Sequence, residues 1–132
     1  MNPRYSSVAS RARHICEYCR ATEAVFNLPF EVKHIIPLSQ RGDKSEDNLA
    51  LSCRSCNLYK SDSVSAFDET SQREVGFFNS RQDAWSEHFS IDENTGEIKA
   101  LTAIGRVTIL SLRIDSKPQV AARTQWLKLG LF

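Results

Sequence analysis

Four side chains in this sequence are spaced to hold a metal. Cys16, Cys19, Cys53 and Cys56 are its only cysteines, and they fall in two pairs, "CEYC" and "CRSC". A C-x-x-C knuckle wraps two thiolates around one ion, and two knuckles supply the four sulfur donors of a closed tetrahedral zinc site. Two alternatives use the same residues: a pair of disulfides, or four unrelated core cysteines. The N-terminal stretch has arginines but no apolar run after them, unlike a secretory signal. The expected compartment is therefore the cytoplasm, where thiols stay reduced and disulfides are rare. Structural Zn2+ is the favoured reading. It also suits a small unit whose core is too slight to hold it alone.

The separation between the knuckles is longer than in a simple zinc ribbon, so something is built between them. "FEVKHIIPLS", residues 30–39, reads as a half-buried strand ending at Pro37, with Val32, Ile36 and Leu38 in alternation. "SQRGDKSEDN" is a polar loop with turn residues. "LALS" reads as a second short strand, and "CRSCNLYKS" opens a helix with the second knuckle at its start. The expected order is strand, loop, strand, helix around zinc.

Within that order stand His34-Ile35-Ile36-Pro37, Gly42, Asn48-Leu49 and Cys53-x-x-Cys56-Asn57-x-x-Lys60. This pattern resembles the HNH endonucleases, over roughly Cys16 to Ser61, with "CEYC" as the other half of the zinc cradle in one branch of that family. The resemblance implies an α+β fold: a zinc-stapled ββα-metal (His-Me finger) core over residues 1–66 with its N-terminal arm. A small α+β C-terminal extension over residues 67–132 would pack on that core. "FFNSRQDAWSEHF" and "LTAIGRVTI" also resemble the C-terminal extension of small bacterial HNH proteins.

The resemblance further implies hydrolysis of phosphodiester bonds in DNA, double-stranded by expectation, as a nick or a double-strand cut. His34 would be the general base and Asn57 a ligand of a catalytic Mg2+ or Mn2+. Asn48 would hold the loop and so orient His34. Lys33 departs from the family, which has an acidic residue or histidine in that ligating position. A protonated lysine has no lone pair and repels a cation. Glu31 shares a strand face with Lys33. It either takes over the ligand role, or pairs with Lys33, or does both. Otherwise Lys33 marks an inactivated nuclease, and the chain is a zinc-containing nucleic-acid-binding module that keeps the scaffold. Lys60 reads as a solvated helix residue, with contact to a phosphate as the alternative, His14 has no assigned role, and His88 reads as packing with Trp85 and Phe89.

Composition sets the outer bounds. No apolar run approaches the roughly 18 residues of a membrane span. Net charge is +1, but residues 1–60 carry +3, residues 61–98 carry −7 and residues 99–132 carry +5. A basic front and tail around an acidic middle fit one face for an anionic partner, or simply solvated surfaces. Toward the C-terminus, a hairpin is predicted around Asn94-Thr95-Gly96. A helix capped by Thr102 should follow, with Leu101, Ile104, Val107, Leu110 and Ile114 at helical spacing. A second helix should begin near Pro118 and stop before Gly130. Arg113, Lys117, Arg123 and Lys128 on these helices either flank a nucleic-acid path or solvate the surface.

Overall fold

The structure, a computed structural model, describes residues 2–132. Among these residues the fold is mixed α/β, with five short α-helices and three two-stranded antiparallel sheets. Among the described residues no helix is long and apolar enough to cross a membrane.

The chain begins with α1 (Tyr5–Arg11), which lacks a side-chain N-cap. The first sheet pairs β1 (Glu31–His34) with β2 (Leu49–Ser52), in a register that sets Lys33 opposite Ala50 and His34 opposite Leu49. Then α2 (Arg54–Lys60) starts at Cys53, its N-cap. Strand β1 is shorter than expected, because it stops at His34 instead of running to Pro37. The cause is Asn48. Its side-chain amide accepts from Ile36 N (2.9 Å) and donates to Ile36 O (2.8 Å) and Asp43 O (2.8 Å). These bonds replace the ladder and turn the chain into a bend at Ile35–Ile36. Gly42 then folds so close that a Cβ would sit 1.8 Å from Ile36 O, so the loop admits only glycine there.

Two more hairpins follow: β3 (Ser65–Asp68) with β4 (Arg73–Gly76), and β5 (Phe89–Ile91) with β6 (Ile98–Ala100). A single turn, α3 (Trp85–His88), precedes β5. The second of these hairpins is the one predicted, with Gly96 at φ +78° in its turn. Both predicted helices form, as α4 (Ala103–Ser111) and α5 (Lys117–Lys128). The Thr102 hydroxyl caps α4 by accepting from Gly105 N at 3.2 Å. Two apolar positions of the predicted stripe, Leu101 and Leu110, face outward. Strands β3, β4 and β6 all pack against α4, and Asp68 clamps Arg106 with two bonds of 3.0 and 2.9 Å.

One buried cluster runs through the chain and includes Val8, Phe30, Leu51, Phe78, Phe89, Val107 and Ile114. The later elements meet the earlier ones through several polar and aromatic contacts. Arg81 pairs with Glu17, Trp85 Nε1 donates to Tyr18 O at 2.8 Å, and Phe26 packs on Trp126. The expectation for Arg123 needs correction. It is buried, not on a surface path. Its guanidinium bonds Asp115 (2.9 Å), Gly96 O and Ile114 O (both 2.8 Å), acceptors from outside α5 that offset the cost of burying the charge. Lys117 and Lys128 are exposed. Arg113 lies over the Tyr59 ring at 4.4 Å.

Candidate functional site

Both knuckles converge. The Sγ atoms of Cys16, Cys19, Cys53 and Cys56 all lie within 4.8 Å of one another, and every one of these residues is buried. A tight turn forms the first knuckle: Cys16 N donates to Ala21 O at 2.8 Å, and Arg20 N donates to Cys16 O at 3.0 Å. The second knuckle is the first turn of α2, where Cys56 N donates to Cys53 Sγ at 3.5 Å. All four are free thiols. Cys19 and Cys53 are 3.8 Å apart, far beyond a disulfide. It is close to the ~3.8 Å edge of a tetrahedron whose metal–sulfur bonds are about 2.3 Å. The donor chemistry therefore fits zinc, and the scatter of four unrelated cysteines is excluded.

Electrostatics within the cluster agree. Burial opposes a charge on Cys16, but hydrogen bonds with Cys19, Cys53 and Cys56 outweigh burial and hold it well below the ordinary thiol range. The bond with Cys16 in turn pushes Cys19 and Cys56 up. A bound cation would displace those remaining protons.

A cavity of about 480 Å3 opens at the end of β1, lined by Lys33, His34, Ser39, Asn57 and Asp62 with Val32, Pro37 and Leu38. Neighbours on a regular strand point to opposite faces. Lys33 and His34 both reach this cavity because β1 ends at His34 and the chain bends. Asn57 comes from α2, one turn past the N-cap. Its Nδ2 donates to Glu31 Oε2, and the other Glu31 oxygen lies 3.4 Å from Arg54. Thus Glu31 meets Asn57 and Arg54. Among the described residues it makes no ion pair with Lys33. Asn48 does not line the cavity. It fixes the bend beside His34 through its three bonds.

Two residues of this region were read differently in the sequence, or not at all. Lys60 is 1% exposed, not solvated. Its Nζ donates to Ile35 O (2.8 Å) and Ser63 O (3.1 Å), and so tethers α2 to the bend after His34. Burial, and then the charge of Lys33, push Lys60 down to about 8. Asp62 is a carboxylate on the cavity wall that sequence reasoning passed over. Its one signal was its place just after α2, two residues beyond the motif lysine.

The remaining histidines stand elsewhere. His14 Nδ1 lies 2.6 Å from Glu23. His88 bonds Thr102 at 2.7 Å and meets the Phe78 ring, while Trp85 and Phe89 stack on each other. A larger cavity of about 880 Å3 includes His88. It is walled mainly by apolar groups such as Ile35, Val64, Val75, Phe77 and Ile104, and its imidazole is already engaged. The smaller cavity at His34 has the better donor set for chemistry.

Residues 16–63 match the family model described as HNH endonuclease. They form an HNH domain. The matched segment starts at the first cluster cysteine and includes β1, β2, α2 and both knuckles, so the thiolate cluster and the His34 cavity both lie within it. The match supports a nuclease family for this segment. No curated protein and no solved structure matches the chain.

Proposed function

We propose that this protein is a metal-dependent HNH endonuclease that hydrolyses phosphodiester bonds in DNA. The reading takes residues 1–66 as a ββα-metal core stapled by structural Zn2+, and residues 67–132 as an extension packed on it. One observation carries it. His34 and Asn57, brought from β1 and α2 within an HNH segment, wall a single open cavity.

Each side chain then has a task. His34 takes a proton from the water that attacks phosphorus, since a neutral imidazole carries a ring nitrogen free to accept one and so suits a general base. Asn48 holds the bend that aims it. Asn57 and Asp62 on the cavity wall, with the Glu31 carboxylate bonded to Asn57 beside it, offer oxygen donors of the kind that suits Mg2+ or Mn2+. Such an ion, when bound, supplies Lewis-acid stabilisation of the phosphate and the departing oxygen. Asn57 donates through Nδ2 to Glu31, which leaves its carbonyl oxygen for a ligand. Lys33 opposes a cation on the same wall, so the activity proposed is weak.

Lys33 also favours a second reading, a zinc-containing module that binds nucleic acid without cutting it. A plasmid-nicking assay with Mn2+ or Mg2+, on the parent and on His34→Ala, separates the two. Nicking that needs the metal and vanishes in the variant supports the enzyme. Binding without nicking, at any metal concentration, supports the module.

A further inference from the structure

The edge of β2 that faces away from β1 is covered by charged side chains. Arg11 donates to Leu49 O at 2.6 Å, and Glu17 bonds Leu51 through both its backbone N–H and its carboxylate. Beside this edge lies a cavity of about 360 Å3 whose walls hold Arg11, Arg13, Arg20 and Arg81, with Trp85 as an aromatic side. It shares no lining residue with the cavity at His34.

Two carboxylates, Glu17 and Asp83, also line it. Glu17 is matched by Arg81. Setting that pair aside, three arginines face one aspartate, an excess of two positive charges. Arg11 is fixed by the carbonyls of Glu46 and Leu49, which orient the guanidinium without neutralising it. Arg20 lies over the Trp85 ring at 5.0 Å. Among the described residues Arg13 makes no side-chain hydrogen bond or ion pair, and it is exposed.

The backbone adds an independent point. Arg13 and Arg20 stand at φ +56° and +69°, the left-handed region where Gly or Asn fits with less strain. Arginine is a costly choice at both, and neither side chain supports the fold with a hydrogen bond. Their shared feature is a place on the wall of one cavity.

We propose that this cavity binds a phosphate group through Arg13 and Arg20, with Arg11 and Arg81 as fixed flanks. Guanidinium forks match phosphate oxygens two at a time. The phosphate comes either from a nucleic-acid backbone, at a point away from the bond to be cut, or from a free nucleotide or inorganic phosphate. The site does not depend on the reading of the His34 cavity, since a chain with no hydrolytic activity would keep it.

The test reads binding, not cleavage, on the full chain carrying His34→Ala. Fluorescence anisotropy of a labelled short duplex is measured across a salt series for that background and with Arg13→Asn or Arg20→Asn added. If the backbone is the source, each asparagine weakens binding about fivefold to tenfold and makes the log–log salt slope shallower by about one. Melting temperature should stay or rise for Arg13→Asn, because asparagine accepts a positive φ. Arg13→Lys should keep the salt slope while losing part of the affinity. If free phosphate is the source, inorganic phosphate raises the melting temperature of the background protein but not of the asparagine variants, and duplex binding does not change. Unchanged duplex affinity together with an unchanged phosphate response overturns the proposal. So does a fall in melting temperature with bound zinc lost in both asparagine variants, which would make the arginines structural.

Discussion

Lys33→Glu should strengthen the proposed catalytic metal site. Lys33 lines the cavity with His34, Asn57 and Asp62. At about 4 Å in a water-like medium, a divalent ion and a unit charge interact by ~2 kcal/mol. Reversing the charge doubles the difference to ~4 kcal/mol. The cavity is open and a lysine stem can swing its ammonium away, so about half should remain. That is ~2 kcal/mol, or roughly 30-fold in metal affinity. Isothermal titration with Mn2+ and a plasmid-nicking time course measure it, with Lys33→Met as the control that removes repulsion without adding a ligand. Glu31→Ala should weaken whatever metal binding the parent has, since it removes one oxygen donor and frees the Asn57 amide.

Lys60 gives a second readout of the same change, with no metal involved. Its folded pKa is about 8, depressed by burial and then by Lys33, against about 10.4 for an unfolded lysine. Between those values the unfolded chain binds more protons, so stability should rise with pH from 8 toward about 10.4. The cost of burying the charged form is fully present below pH 8. Lys33→Glu should lift the folded pKa, shrink that rise and stabilise the protein at pH 7. Urea unfolding at pH 7 and 9.5, with zinc saturating, compares parent and variant. If Lys33→Glu binds Mn2+ no tighter, nicks no faster and keeps the parent's pH slope, the Lys33 ammonium points away from both groups and the electrostatic argument fails.

Elemental analysis should find one zinc per chain, and strong chelation should unfold the protein, because a closed four-thiolate site contributes folding free energy directly. His34→Ala should lower the nicking rate by roughly 10²–10⁴-fold with unchanged melting temperature; an undiminished rate assigns the base elsewhere. Asn48→Ala should cost about 1–3 kcal/mol in urea unfolding, since it strands the buried polar groups of Ile36. It should also slow nicking at unchanged metal affinity, which a residue acting only through the bend predicts.

Motif chemistry was legible where a residue type has one geometric use. The two C-x-x-C pairs favoured a common centre over two disulfides or a scatter, and Thr102 and Gly96 announced a cap and a turn. The end of β1 was not legible, because alternation through Ile36 and Leu38 continued the strand pattern. What stops the strand is a side-chain amide twelve residues away in sequence, and no local signal reports that Asn48 will reach it. Lys60 and Arg123 were misread for a related reason. A long cation on a short helix looks solvated until carbonyls from other segments converge on its head, as those of Ile35 and Ser63 do on Lys60. The β3–β4 hairpin was missed because the positive φ of its turn falls on Gln72 (+58°), not on a glycine or asparagine. Asp68 holds that turn by accepting from Ser71 N at 2.9 Å.

The two metal sites of the proposed enzyme are chemically separate but mechanically joined. Cys53 caps α2 and Cys56 lies in its first turn, so the thiolate centre sets where that helix begins. Asn57 follows Cys56 directly, and Lys60, one turn on, ties the helix to Ile35 beside His34. An isolated helix this short is marginal in water; its position is owed to the knuckle and to the lysine. Loss of zinc should therefore abolish activity without zinc touching the phosphate. Readdition of Mg2+ or Mn2+ alone should not restore it. Zinc added first, then Mg2+ or Mn2+, should, because the order follows from which site builds the other.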